Sequence, residues 1–296
     1  MFAPIHHVSL LTRFANENQF FYTHILGLRF VKKTVNQDNH KMLHYYYGNY
    51  TGEPGSVITF FVVPSLAQRY DNEHFLSSIG LKIPQGSISY WEQRLTNAQI
   101  NYTKKGHQLY FTDNDQVELR LVEVEQEPLA QEFQVKNDIP GEKQILGLLS
   151  TEIYVSEPNK TADFFFQLLD WKSKQGCIQL NETDFIQILP TGTSEKMRMG
   201  RGSIDHIAFS VENEKKLHDL YEKAKKQGWF IEKIVHRGYF KSLYIREPGG
   251  NRIEFATLTP GFTVDEPLES LGEQLALPSF LEENRSEIEA GIYKEK

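Results

Sequence analysis

An internal repeat limits the fold of this chain more than any local propensity does, because a fixed period sets an architecture. The first copy opens with the strand-like run Ile5-His6-His7-Val8-Ser9-Leu10-Leu11. It continues into a helix from Asn16 to Leu26, with Phe20, Phe21, Ile25 and Leu26 at core spacing, closed by Gly27. Three strand-like runs follow, Arg29 to Val35, Leu43 to Gly48 and Ser56 to Val63, the last after a Gly52-Glu53-Pro54-Gly55 turn. The unit is strand, helix, three strands. It returns over 77–124, less regularly from Gly147 to Leu189, and most cleanly over 202–258. In that last copy Ile204 to Phe209 is the first strand, Glu212 to Gln227 the helix, and Ser242 to Thr257 a hairpin across a Pro248-Gly249-Gly250 turn. Four such units predict an α+β fold made of two pairs of modules.

The joint between the pairs falls where the chain turns acidic, proline-bearing and aperiodic. The expected organisation is an N-terminal domain over 1–125 with modules 1 and 2, a linker over 126–144, and a C-terminal domain over 145–260 with modules 3 and 4. An extension over 261–296 follows, expected to strap the surface and end in a charged helix. Residues 191–202 also lack periodicity and are expected either to move or to cover a site. The 296 residues suffice for two ordinary cores, and a net charge of −7 with no basic face argues against a nucleic-acid partner and for a small molecule. A single cysteine, Cys177, leaves no internal disulfide and reads as a buried hydrophobe. The start Met1-Phe2-Ala3-Pro4 has no basic region leading into an apolar stretch, so a cytoplasmic setting is expected. No apolar run approaches the ~20 residues of a membrane span. A homo-oligomer is compatible with this sequence.

The chemistry appears when the first copy is laid on the fourth. His7 coincides with His206, and Thr59 in Val57-Ile58-Thr59-Phe60 coincides with Glu254 in Arg252-Ile253-Glu254-Phe255. An ionised carboxylate inside an apolar strand is costly unless a cation, hydrogen bonds or a metal compensates it. Two imidazoles, one carboxylate and an open fourth position form the donor set that suits non-haem Fe(II) working on oxygen. Each residue alone has a plainer reading. A single histidine in an apolar strand is usually a hydrogen-bonded core residue, and Glu254 has Arg246 and Arg252 as nearby salt-bridge candidates. Copies two and three, with Gly80-Leu81 in place of a histidine and Glu152 with Gln187, are expected to be structural.

These residues resemble a known family. The His6-His7-Val8-Ser9 start, Gly27-Leu28-Arg29-Phe30-Val31-Lys32-Lys33-Thr34-Val35-Asn36, Asp205-His206-Ile207-Ala208-Phe209, Arg237-Gly238-Tyr239-Phe240 and Arg246-Glu247-Pro248-Gly249-Gly250 are similar to the ring-cleaving dioxygenases of the vicinal-oxygen-chelate (glyoxalase/extradiol dioxygenase) superfamily, hydroquinone branch. The resemblance covers nearly the whole chain and is loosest over 125–200. It implies four βαβββ modules, Fe(II) or alternatively Mn(II) on His7, His206 and Glu254, and opening of a small hydroxylated aromatic ring with O2. It further implies His6, Arg237 and Tyr244 as catalytic groups, with Ser9, His44 and Asp205 around the substrate. One departure stands out: many relatives carry a second His-His pair where this chain has Asp205-His206, which fits a carboxylate that orients a ligand. Two other function classes share the scaffold. One is a glyoxalase-like lyase, isomerase or thiol transferase, for which Thr59 is a poor fourth ligand; the other is a non-catalytic binder of aromatics or quinones.

Overall fold

The structure, a computed structural model, describes residues 4–293; Met1 to Ala3, used above to argue against a leader, lie outside it. Module 1 contains β1 (Ile5–Thr12), α1 (Ala15–Phe20), β2 (Arg29–Asn36), β3 (Asn39–Gly48) and β4 (Val57–Val62). Module 2 contains β5 (His74–Pro84), α2 (Ile88–Asn97), β6 (Tyr102–Lys105), β7 (Gln108–Thr112) and β8 (Glu118–Val124). Module 3 has β9 (Gly147–Val155), α3 (Pro158–Leu169), β10 (Ser173–Lys174), β11 (Cys177–Gln179) and β12 (Phe185–Pro190). Module 4 has β13 (Ile204–Val211), α4 (Glu214–Lys226), β14 (Phe230–His236), β15 (Lys241–Arg246) and β16 (Arg252–Thr257). In each module the closing strand pairs parallel with the opening one, and the middle strands follow antiparallel. The result is the expected α+β fold of four βαβββ modules.

Pairing between modules follows the opening strands, which are nearly all buried: β1 runs antiparallel to β13, and β5 to β9. Module 1 therefore closes with module 4, from the other end of the chain, and module 2 with module 3. A single bridge from Ile204 to Leu76 links the two halves into one sheet. Residues 126–144 carry no strand, only two 3-10 turns at Gln131–Phe133 and Gly141–Lys143. Module 2 and 3 interiors hold an ion pair instead of a ligand cluster: Arg120 lies 3.3 Å from Glu152 and donates to Ser78 and Ser150.

Several expectations shift in detail. The first helix changes at Phe21 into a π-helical turn over Phe21–Ile25. The wider turn rotates the apolar face, so Phe21 and Tyr22 are buried while Phe20 is 55% exposed. Residues 191–202 neither stand free nor cover the cavity. They zip against 67–73, with Tyr70 and Arg198 exchanging backbone hydrogen bonds of 2.9 and 3.0 Å. Cys177 is half-buried, because it sits on the short outer hairpin β10–β11. The extension does strap the surface. Ala276 N–H bonds to the Lys33 carbonyl, covering the free edge of β2, and Phe262 packs on Tyr46 and Tyr239. The fully buried Lys32 holds this strap through Asp265 at 2.6 Å and through Glu266, and the described residues end in α5 (Arg285–Tyr293).

Candidate metal centre and its cavity

Antiparallel pairing of β1 with β13 sets His7 opposite Ala208 and Ser9 opposite His206, so a local two-fold through Val8 and Ile207 relates the two histidines. Ser9 then pairs with Thr59, and Ala208 with Glu254. Thr59 and Glu254 are thus equivalent positions in space as well as in the repeat. The three donor atoms converge: His7 Nε2 lies 3.3 Å from His206 Nε2 and 3.2 Å from Glu254 Oε2, and His206 Nε2 lies 2.7 Å from that oxygen. All three residues are buried, and they form the one three-donor metal cluster found among the described residues.

Whether these atoms suit a cation follows from their hydrogen-bond partners. His206 Nδ1 is 2.6 Å from Asp205 Oδ2, an acceptor only, so Nδ1 carries the hydrogen and Nε2 a lone pair. His6 Nε2 donates to the Thr257 carbonyl at 3.2 Å, which leaves its Nδ1 to accept from His7 Nδ1 at 2.9 Å. His7 Nε2 is then also a lone pair. Two imidazole lone pairs and a carboxylate face one point, and neither oxygen of Glu254 accepts a hydrogen bond. Such an arrangement is repulsive without a positive charge at its centre. Ligands bonded at about 2.1 Å and at right angles to each other sit roughly 3 Å apart, so the spacing matches one face of an octahedron.

Protonation competes with a cation for these donors. Burial opposes ionising Glu254, yet positive charge on the neighbouring His7 and His206 would hold its pKa well below the usual carboxylate range. Burial lowers the pKa of His7, whereas Glu254 and Asp205 outweigh burial at His206 and raise it. Asp205, half-buried, is held ionised by the hydrogen bond from His206 and by Arg252, whose Nη1 lies 2.7 Å away. Arg252 is itself fixed by Glu232, which also takes Arg246. Neither arginine reaches Glu254, so the salt-bridge reading of that carboxylate fails.

The cavity is lined by His7, Ser9, Thr34, His44, Tyr46, Phe61, His206, Arg237, Phe240 and Tyr244, among others. Arg237 and Tyr244 meet there: Arg237 Nε donates to Tyr244 Oη at 3.2 Å, and its guanidinium lies 5.1 Å over the same ring. Burial, reinforced by Glu254, holds the Tyr244 hydroxyl well above the normal phenol pKa despite Arg237. Ser9 and His44 also face the cavity. Asp205 lines an adjoining opening that shares Asn36, Phe61, His206, Arg237 and Tyr244 with this cavity. His6 does not appear in the wall; a bulge between Ile5 and His7 turns His6 behind His7, and burial with the adjacent His7 pushes its pKa down to about 3. His6 thus stands behind His7, and Asp205 in the same way stands behind His206. The tips of β2 and β3 supply wall residues that sequence reasoning missed: Asn36 and Gln37 line the cavity, Gln37 accepts from Arg237, and Asp38 pairs with Lys233 at 2.5 Å. Only the sequence adjacency of a hairpin turn to two wall strands could have flagged them.

Fold and site together define a protein of paired βαβββ modules with a His-His-Glu cluster that could hold a metal ion. Residues 147–255 match the Glyoxalase/Bleomycin resistance protein/Dioxygenase superfamily. Over 97% of its length the chain is 34% identical to the Bacillus subtilis (strain 168) protein called "Putative ring-cleaving dioxygenase MhqA", 97% of which is covered. The chain belongs to this superfamily. It is also 26% identical to the chlorohydroquinone/hydroquinone 1,2-dioxygenase of Sphingobium indicum, over 96% of this chain and 94% of that protein. The crystal structure of a "putative dioxygenase" from Bacillus subtilis superposes with a TM-score of 0.88 at 29% identity, covering 97% of this chain and 96% of that one. Glyoxalase I from Zea mays shares the fold, with a TM-score of 0.61 at 12% identity, covering 86% of this chain and 92% of that one.

Proposed function

We propose that the protein is a ring-cleaving dioxygenase that opens a hydroquinone- or catechol-type ring with O2, using Fe(II), or alternatively Mn(II), on His7, His206 and Glu254. One observation carries this reading: Thr59 occupies the position equivalent to Glu254, so three donors converge where a four-ligand site would need another carboxylate. A site with open positions accepts both a ring hydroxyl and a small oxidant, whereas a glyoxalase-type lyase would want the fourth ligand. The names of the full-length relatives support the same class. The metal, when bound, supplies the Lewis acidity and electron relay that join ring and oxygen.

The chain's own residues do the rest. Phe61 and Phe240 form apolar walls for the ring. Arg237 presents a half-buried cation to the negative charge that develops on the ring oxygens, worth most in a dry site. Because Tyr244 accepts the Arg237 Nε–H, its own hydroxyl proton is free to point into the cavity and serve as the donor. Asp205 and His6 hold the two imidazoles in the tautomer that leaves Nε2 open. Oxygen uptake by the anaerobically Fe(II)-loaded protein, mixed with methylhydroquinone, hydroquinone or catechol, tests the reading. Uptake with formation of a ring-opened product is expected for at least one; no uptake with any of them, or affinity without turnover, contradicts it.

A further inference from the structure

Four polar side chains run in a line across three neighbouring strands of module 1. Ser9 Oγ on β1 is 2.7 Å from Thr59 Oγ1 on β4; Thr59 Oγ1 is 2.8 Å from His44 Nε2 on β3; His44 Nδ1 is 3.0 Å from Tyr46 Oη. Ser9 and Tyr46, at the two ends, both face the cavity and have no further hydrogen bond to the protein among the described residues. The line crosses two strand spacings, roughly 10 Å. The fold does not require it. In module 4 the register places Ala208, Glu254, Ser242 and Tyr244 at the same four positions, where Ser242 Oγ has no partner and Tyr244 turns to Arg237.

We infer that Ser9, Thr59, His44 and Tyr46 are a proton wire between two ends of the cavity. This rests on the dioxygenase reading above and deepens it: adding O2 to a dihydroxybenzene gives an open-chain product with the same hydrogen count, so a proton leaving a ring hydroxyl has to return. As the substrate O–H breaks, its proton passes to Ser9 Oγ and the Ser9 proton to Thr59 Oγ1. The Thr59 proton goes to His44 Nε2, the His44 Nδ1 proton to Tyr46 Oη, and the Tyr46 hydroxyl proton to water at that end of the cavity. The reverse passage returns it to an oxygen of the product. Every member ends with the proton count it began with, as the donor and acceptor capacity of hydroxyls and a neutral imidazole allows. His44 is kept neutral: burial, with Arg237 adding, holds its pKa well below the imidazole range.

The test uses the Zn(II)-loaded, redox-inert protein under argon, mixed with methylhydroquinone in a stopped-flow with a pH indicator, after metal content and ligand affinity are measured for each variant. Thr59→Val and His44→Asn keep the shape but break the wire. Proton release at saturating ligand slowed roughly tenfold to a hundredfold in both, with metal content unchanged and the rate restored in Thr59→Ser, is the expected result. Release at the wild-type rate in Thr59→Val, no release from the wild type, or a Thr59→Ser variant as slow as Thr59→Val overturns the inference. Because the assay consumes no oxygen, a protein that releases protons through the wire yet takes up no O2 would sink only the dioxygenase reading.

Discussion

At the residue scale the two halves of the centre differ in what stands behind each imidazole. His6, a neutral ring, supports His7; Asp205, an anion braced by Arg252, supports His206. A charged acceptor makes the imidazole a stronger donor to a cation than a neutral one does, and loss of such support typically lowers metal affinity 10–100-fold. Asp205→Asn keeps an oxygen acceptor but removes the charge. Its Fe(II) affinity, measured by competition with a chelator, is expected to fall by roughly tenfold; an unchanged affinity would assign Asp205 to fixing Arg252 only. The three donors and the Thr59 vacancy were legible in the sequence, because the repeat reveals which residues share a register. The support by His6 was not, since a strand predicts alternation and only the bulge beside it turns two successive histidines toward each other.

At the scale of elements, alternation and turn residues located the modules, with exceptions where local geometry departs from a regular period. The π-helical turn after Phe20 and the early start of β5 at His74 belong to this class. The turn between β7 and β8 shows an energetic consequence. Asp113 is buried there, accepts from Tyr22 Oη at 3.1 Å and from two backbone N–H groups, and has Asp115 beside it. Burial outweighs those donors and raises its pKa from 3.8 to about 7. A carboxyl with a folded-state pKa above its unfolded value stabilises the fold at low pH, and that contribution is lost as pH rises from about 4 through about 7. Asp113→Asn, which keeps the oxygen acceptor, is therefore expected to gain stability relative to the wild type between pH 5 and pH 8, by on the order of 2 kcal/mol. Denaturation of both proteins at the two pH values checks this; a pH-independent difference would show that Asp113 stays ionised in the fold.

At the scale of the whole molecule, the centre joins opposite ends of the chain. His7 comes from the first strand and His206 with Glu254 from the last module, and they meet because β1 pairs with β13 while modules 2 and 3 pair with each other. Contiguous sequence predicts two domains of successive modules; the matching histidines of copies one and four were the only sequence sign of the longer-range pairing. In the other half the Arg120–Glu152 ion pair fills the equivalent interior, so a single centre is left in the described residues. The central claim is that one cation sits on three donors from modules 1 and 4. Metal analysis of the anaerobically Fe(II)-reconstituted protein beside His7→Ala, His206→Ala and Glu254→Ala, each verified as folded, tests it most directly. One iron per wild-type chain and none in each variant is the predicted result; full iron in any folded variant would contradict it.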